Sequence, residues 1–505
     1  MVSGPFERNE SMSDMLFIGL DLGTSALKLL LVDDNGAVVK TVSRSFKVHY
    51  PHPGWSEQHP EDWADATFDG LQELLEGIEK QKVKGISFAG QMHGLVILDA
   101  DDKVIRPAIL WNDGRTEQET KYLNQEIGEA LLVQETGNIA FAGFTAPKIL
   151  WLKKHEPEHF AKIKKIMLPK DYLIYLLSGQ HATDVSDASG TLLFDVEHQR
   201  WSHKMLEICG VQEAQLPTLY RGSDPVGTIR SDVAKRFGLN DDVKIMAGAG
   251  DNAAAAVATG TVVNGKGNIS LGTSGTLFVA TDAFLPLENH AVHQFCHTDG
   301  SYHLMGCMLS AASAYSWWRE DILQQETNVA LQNENTDGLY FLPYLMGERS
   351  PHNDEAVRGA FIGLSMETTA EAMGTAVLEG VSFGMRDSLE IIRELGMELS
   401  EMTVTGGGAK NAVWQQMLSD IMDAKLAAIG DEVGPAYGAA ILAAVGCGVW
   451  PSVKAASTAL MSSKRQTAQN SEAVAYYEKK YRKYTDLYPR LKTFFVCLMI
   501  KEYCN

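Results

Sequence analysis

Two aspartates in this 505-residue chain stand where an apolar run meets a glycine-bearing turn, a placement suited to phosphate chemistry. Asp251 lies in Ala249-Gly250-Asp251-Asn252-Ala253, just past the buried strand expected over Val243–Ala247. A carboxylate held at a strand end and opening a helix can orient a hydroxyl and accept its proton as the oxygen attacks a phosphoryl group. The commoner use of such an aspartate is to cap the helix that it opens, and pattern alone favours that reading. Asp21 ends the first strand beside Gly23-Thr24-Ser25. Mg²⁺ often takes one or two carboxylates and completes its shell with water and phosphates, which makes Asp21 a candidate metal ligand through water. The competing reading is a turn-forming aspartate bonded to its own hairpin.

The turn after Asp21 occurs twice. DLGTSALKLLLVD (Asp21–Asp33) and SLGTSGTLFVATD (Ser270–Asp282) each carry Leu-Gly-Thr-Ser followed by a second apolar run. Each reads as a β-hairpin whose turn offers N–H groups and hydroxyls to a phosphate, from Thr24 and Ser25 in one and Gly272, Thr273 and Ser274 in the other. A pair of such hairpins, half a chain apart, suggests two related halves facing each other across a nucleotide. A third glycine segment, Thr405-Gly406-Gly407-Gly408-Ala409-Lys410-Asn411, joins a strand to a helix. That arrangement lets a nucleotide lie against backbone at a helix N-terminus, and it makes Gly407, Gly408 and Asn411 candidate adenosine contacts. Lys28 belongs to no GxxxxGK[ST] pattern and reads as hairpin surface.

Gln91-Met92-His93-Gly94 brings an amide, a thioether and an imidazole to one strand-to-turn segment. A sugar needs such a mixture: hydrogen bonds for its hydroxyls and apolar area for its C–H face. A lone histidine is more often structural. Trp55 reads equally as a sugar platform or as core. Glu348, Arg349 and His352, in a proline-bounded loop, read as structural ion pairs or as contacts made on closure, and the pattern does not decide.

Composition narrows the classes. The length suits two domains. A hydrophobic content of 45% and a charged content of 21% are those of a soluble globular protein. A net charge of −20 disfavours nucleic-acid and anionic-membrane partners, so phosphates must be neutralised locally by metal and backbone donors. Six cysteines without CxxC spacing read as reduced thiols of a cytoplasmic protein. Residues 1–14 read as a flexible leader without an apolar signal core. The apolar run Phe494–Ile500 is too short to span a bilayer.

Along the chain, strands are expected at Leu16–Leu20, Leu27–Val32, Ala37–Ser45 and Val83–Phe88, with a helix from about Pro60. Leu95–Leu98 and the turn Asp99–Asp102 suggest another hairpin, and long helical stretches fill residues 116–180. The second half repeats the scheme, with a strand at Met402–Val404, a helix from near Asn411 and a close-packed helix at Val433–Val445. The alternation points to α/β with mixed sheets.

With these residues in view, the chain resembles the FGGY carbohydrate kinases. The resemblance runs from about Leu16 to Trp450 and rests on GLDLGTS, FAGQMHG, ILWNDGR, GFTAPKILW, LPKDYL, SDASGT, GAGDNAA, SLGTSGT, FLPYLMGERSPHN and TGGGAKN, in the family's order. Lys148 and Trp151 fit the first family signature. The second, over Gly359–Glu379, departs at Ala372, where a polar residue is expected. The resemblance implies two actin-like, ribonuclease-H-like domains with mixed β-sheets and a central ligand cleft, over residues 15–262 (sugar side) and 263–487 (ATP side), with a divergent tail at 488–505. It implies ATP and Mg²⁺ and reverses the preference at Asp251, making it the catalytic base with Asn252 beside it on a sugar hydroxyl. Met92 and His93 become sugar contacts through a segment that looks like that of the members acting on xylulose. The implied reaction is phosphorylation of D-xylulose at its 5-hydroxyl, with another ketopentose or a polyol, such as ribulose, as the alternative. An actin-like ATPase scaffold and a non-catalytic sugar sensor are the readings from other classes. The dense polar segment and the two aspartates speak against both. Whether the chain works as a monomer or a homodimer is left open.

Overall fold

The fold is taken from a computed structural model that describes residues 15–285, 287, 291–325, 336–430, 433–461 and 463–499. The expected leader, 1–14, lies outside the described residues. The first sheet begins with β1 (Leu16–Leu22), β2 (Ala26–Asp33) and β3 (Val38–Ser45), an antiparallel meander. β4 (Val83–Gly90) and β5 (Lys244–Met246) then add in parallel on the other side of β1. The order is therefore 3-2-1-4-5, with Pro225–Thr228 on the outer edge.

The second sheet repeats this order. β6 (Gly267–Leu271), β7 (Gly275–Thr281) and β8 (Tyr302–Met308) form the meander, and β9 (Glu401–Thr405) and β10 (Lys425–Ile429) add in parallel. Edge strands His293–Cys296 and Ser463–Thr467 close its two sides. β1 and β4 are buried along nearly their whole length, as strands covered on both faces must be. Among the described residues no helix is long and apolar enough to cross a membrane.

Two local expectations are corrected. Lys165–Met167 is a strand in the stretch expected to be helical, because Val96–Leu98 pairs with it and not with the segment after Asp99–Asp102. The turn itself leaves only an isolated bridge between Leu98 and Val104. The tail forms a helix, Leu487–Met499, which lays Tyr488 on His352 and buries Phe495 in the second core.

The four helices that matter to the site are α1 (Asp251–Ala258), α2 (Ala370–Glu394), α3 (Ala412–Met422) and α4 (Pro435–Gly446). α2 fills the core behind the second sheet, and α3 follows the triple glycine. α4 comes from the second half of the chain yet packs on the first sheet and on α1, in a core of Leu30, Ala253, Val257, Ala440 and Leu442. Its run of alanines permits that approach. A Cβ on Gly438 would stand 1.9 Å from the carbonyl oxygen of Ala254, and one on Gly19 1.9 Å from that of Ala436. The helix bearing Asp251 is thus clamped by a helix encoded almost two hundred positions later in the chain.

This clamp gives a stability prediction. Gly438→Ala gains up to about 1 kcal/mol of helix propensity, but its methyl must displace backbone, an overpacking cost of about 3 kcal/mol or more. Urea denaturation should therefore show Gly438→Ala clearly destabilised, whereas Gly434→Ala, with nothing within 4 Å of its added methyl, should lose only the smaller cost of alanine at a helix N-cap. Equal stability of the two variants would contradict the clamp.

Candidate active site

Three chain segments leave the first sheet at the same edge. In the ladder Asp21 stands beside Ala89 and Leu22 beside Gly90, while Ala249 and Gly250 pair with Ala89 and Gly90 from the other side. Asp21, the Gln91–Gly94 segment and Asp251 therefore emerge next to one another, although more than two hundred residues separate the first from the last. Parallel pairing is what produces this, since it brings the carboxyl ends of neighbouring strands to one side.

Asp251 is the first residue of α1, and Gly250 holds the cap position without a side-chain bond. The helix-capping reading is thereby excluded. The Oδ1 atom accepts both the backbone N–H of Asn252 at 2.7 Å and its side-chain amide at 2.9 Å. No hydrogen bond to Oδ2 is present among the described residues, which leaves that oxygen for an incoming hydroxyl. Burial pushes the Asp251 carboxyl up to about 6, against the opposing pull of the two Asn252 donors. Asn252 thus spends its amide N–H on Asp251 and keeps its side-chain oxygen for a ligand.

Among the described residues the Asp21 side chain makes no hydrogen bond to its own hairpin, against the turn-forming reading. Burial first and the Asp251 charge second raise its carboxyl, against the pull of Lys28, to about 7. The correction here concerns Lys28. It is half-buried and sits directly across the ladder from Asp21, so it is part of the site's electrostatics and not hairpin surface. Counting outward from the four-residue turn Gly23–Ala26, Leu22 to Leu27 and Asp21 to Lys28, would have found it. Two like charges in low dielectric favour a divalent cation or a shared proton. The oxygen-only donor set and the bare Asp21 carboxylate fit Mg²⁺, which keeps most of its ligands from water and phosphate.

His93 adopts a positive φ of 68° at the turn. Its Nδ1 lies 2.7 Å from the Gly190 carbonyl and so carries the proton, leaving Nε2 as an acceptor facing the site. Burial lowers this imidazole to about 3, so it is neutral at physiological pH. The His93 carbonyl is held by Lys148 Nζ at 2.8 Å and Thr145 Oγ1 at 3.1 Å. Lys148 is fully buried, and burial drives its own basicity well down. Met92 packs between Gly190 and Gly250, each of which leaves the space a Cβ would take.

Behind this edge lies a cluster that pattern did not reveal. Lys170 Nζ is 2.7 Å from Asp171, 2.9 Å from Asp184 and 3.6 Å from Asp187, all fully buried. Ser186 Oγ donates to Asp184 and accepts the Gly250 N–H at 3.1 Å, which ties the cluster to the backbone beside Asp251. Lys170, Asp171 and Asp187 lie in motifs quoted above and Asp184 just before one, but nothing in their spacing announces that they meet. Gln58 is also unforeseen: it receives the Gln91 amide at 3.0 Å and donates to the Thr24 carbonyl at 2.6 Å, joining the sugar-side segment to the first turn. Trp55 is held by protein, with the Arg115 guanidinium 3.7 Å from its ring centre and Trp151 edge-on at 5.3 Å.

In the second lobe the turn after β6 stands where the Asp21 turn stands in the first. The Thr273 carbonyl accepts the Ala311 N–H at 3.0 Å and the Ser313 hydroxyl at 2.7 Å. This fixes Gly272, Thr273 and Ser274, and among the described residues the hydroxyls of Thr273, Ser274 and, in the first turn, Ser25 have no hydrogen-bond partner; Thr24 Oγ1 instead receives the Trp111 indole N–H at 2.9 Å. The exit of β9, equivalent to Gln91–Gly94, carries the triple glycine. A Cβ on Gly408 would strike Trp414 at 2.7 Å and Leu271 at 2.9 Å, whereas one on Gly407 would meet nothing within 4 Å. Gly407 is therefore the glycine with an open face, and Gly408 is a packing requirement. Asn411 caps α3, its side-chain oxygen accepting the N–H groups of Val413 at 3.0 Å and Trp414 at 3.1 Å. Its amide N–H₂ has no hydrogen-bond partner among the described residues.

Comparison with known proteins agrees with this plan. Residues 16–258 match the N-terminal domain, and residues 267–447 the C-terminal domain, of the FGGY family of carbohydrate kinases. The xylulose kinase of Escherichia coli (strain K12) is 43% identical over 439 residues, 85% of this chain and 90% of that protein. A crystal structure named as a "xyloylose kinase" from Brucella ovis is 38% identical, with a TM-score of 0.89 over 95% of this chain and 100% of that one. The ligand-bound xylulose kinase of Lactobacillus acidophilus shares the fold, with a TM-score of 0.91 at 24% identity, covering 96% of this chain and 100% of that one. With the two domain models matched in order over most of its length, the chain belongs to the FGGY family of carbohydrate kinases.

Proposed function

We propose that this kinase transfers the γ-phosphoryl group of ATP to the 5-hydroxyl of D-xylulose. The observation that carries the reading is Asp251, with one oxygen fixed by Asn252 and the other unengaged, beside a neutral His93 at the same sheet edge. The sugar lies against Met92 and His93, where the imidazole accepts from a hydroxyl and the thioether offers apolar area. Asp251 accepts the hydroxyl proton as the new O–P bond forms and the bond to the ADP oxygen breaks. Thr24, Ser25, Thr273 and Ser274 supply phosphate donors, and Gly407 with the free amide of Asn411 supports the adenosine. Asp21 would hold Mg²⁺, which supplies charge neutralisation for the phosphates when bound. Similarity to xylulose kinases supports xylulose over ribulose. The cytoplasm is the proposed compartment.

Three outcomes are expected. Asp251→Asn should lose at least roughly 10²-fold in turnover while still binding ATP, as removal of a general base requires. Near-normal turnover in that variant would exclude the base assignment. The base must be ionised to accept a proton, so kcat/KM for xylulose should be flat above the Asp251 value of about 6 and fall as pH drops below it. A pH profile without that acid limb would contradict it.

The second outcome separates the ligands. His93→Ala should raise KM for xylulose by up to roughly tenfold, the loss of one hydrogen bond to a neutral hydroxyl, with KM for ATP unchanged. Gly407→Val should do the reverse, because its side chain enters open space beside α3 and not packed protein. Exchanged phenotypes would overturn the map. The third concerns the metal: Asp21→Asn should raise the Mg²⁺ concentration needed for half-maximal rate, and an unchanged metal titration would remove Asp21 from that role.

A further inference from the structure

Arg349 lies in the second lobe, in the loop after Gly347, yet it reaches residues of the first. Its guanidinium carbon stands 5.7 Å from the ring centre of Phe141. Phe141 packs at 5.3 Å against Phe144, and Phe144 stacks on His93 at 4.6 Å. His293, from the edge strand of the second sheet, sits edge-on to Phe141 at 4.8 Å. Arg349 is therefore part of the wall around the imidazole assigned to the sugar.

The neighbouring glutamate does not pair with it. Glu348 turns its Oε1 inward to accept the N–H groups of Leu309 at 3.1 Å and of Arg349 itself at 2.8 Å, which anchors the loop backbone. The Ser350 N–H adds a bond to the Cys307 carbonyl at 3.0 Å. The guanidinium contacts the Cys307 thiol and the Phe141 ring, and no carboxylate lies within salt-bridge distance of it among the described residues. A half-buried fork of five donors with one weak sulfur acceptor is costly unless a ligand supplies oxygens. A second polar atom on the same wall is in the same condition: His293 Nε2 is buried, on a residue 3% exposed, without a hydrogen-bond partner among the described residues. The rings between these atoms suit the C–H face of a sugar, whereas the hydroxyl-rich phosphate turns follow β1 and β6.

We propose that Arg349 is the sugar-contacting residue of the second lobe, its guanidinium donating to oxygens of the bound ketose from the aromatic wall it shares with His93. The proposal rests on the sugar-kinase reading above and adds to it the residue by which the nucleotide-side lobe recognises the acceptor. Glu348 is then a positioning residue, holding the loop so that the fork faces the pocket. Closure of the two lobes and recognition of the sugar become one event, because the pocket takes its last donors from the lobe that also carries the ATP turns.

The test uses the full chain with Arg349→Gln and Arg349→Lys, both checked for an unaltered melting temperature. Titration calorimetry with D-xylulose, without nucleotide, reads sugar binding directly, and initial rates give KM for xylulose and for ATP. Arg349→Gln should weaken xylulose binding and raise its KM by about ten- to a hundredfold, the loss of a hydrogen bond to a charged donor, with KM for ATP unchanged. Arg349→Lys should recover only part of this, since the ammonium lacks the planar fork. Unchanged xylulose affinity in Arg349→Gln would overturn the proposal, as would a rise confined to KM for ATP, which would assign the guanidinium to phosphate. The two readings fail separately. An unaltered protein that binds xylulose through Arg349 but transfers no phosphate refutes the kinase step and keeps the contact. One that phosphorylates xylulose while Arg349→Gln binds it equally well refutes the contact and keeps the kinase.

Discussion

Holding two carboxylates together in a buried cleft is the constraint on which this site depends. Asp21 and Asp251 repel each other, and burial raises both above the ordinary carboxylate range. Such an arrangement persists only if backbone geometry enforces it and a ligand profits from it. Enforcement comes from the parallel ladder through Ala89 and Gly90, which sets the two chain exits side by side. Further fixation comes from Ser186, which ties Gly250 to the Lys170 cluster, and from α4, packed on α1 through Gly438. The profit lies in the chemistry: one carboxylate placed to take a proton and one placed for a cation.

The repeat of the 3-2-1-4-5 order explains how one plan serves two ligands. At equivalent exits the two lobes carry different residues. The exit of β4 carries Gln91-Met92-His93, side chains suited to hydroxyls and C–H groups, whereas the exit of β9 carries Gly406-Gly407-Gly408, of which Gly407 leaves open space over the backbone for a flat group. The turns after β1 and β6 keep Gly-Thr-Ser in both lobes, which suits the phosphate contacts proposed for both. Asp21 in the first has Ser270 as its counterpart in the second, so only one lobe offers a carboxylate for the proposed metal.

Much of this was legible in the sequence because it is local. The Gly-Thr-Ser hairpins, the exit of β4 and the cap at Asn411 each follow from a few adjacent residues. What escaped is what depends on distant pairing. Lys28 looked like surface until the hairpin register set it opposite Asp21. Lys165–Met167 looked helical because its partner strand lies about seventy positions earlier in the chain. Lys170 meets three aspartates only through the fold. Gly408 was read as facing a nucleotide, but which way a glycine's missing side chain would point is set by the turn and not by composition. It points at Trp414 and Leu271. Trp55 likewise offered a platform in sequence and proves to be sandwiched by Arg115 and Trp151.

The central claim is that the enclosed edge directs the phosphoryl group to a sugar hydroxyl and away from water. Phosphorus NMR of the unaltered protein with MgATP and D-xylulose reads this in one sample, since it distinguishes a phosphate ester from inorganic phosphate. The account predicts ADP and a single sugar monophosphate accumulating in equal amounts, with no inorganic phosphate and no ATP loss when xylulose is left out. Inorganic phosphate as the main product, or ATP consumption indifferent to the sugar, would contradict it.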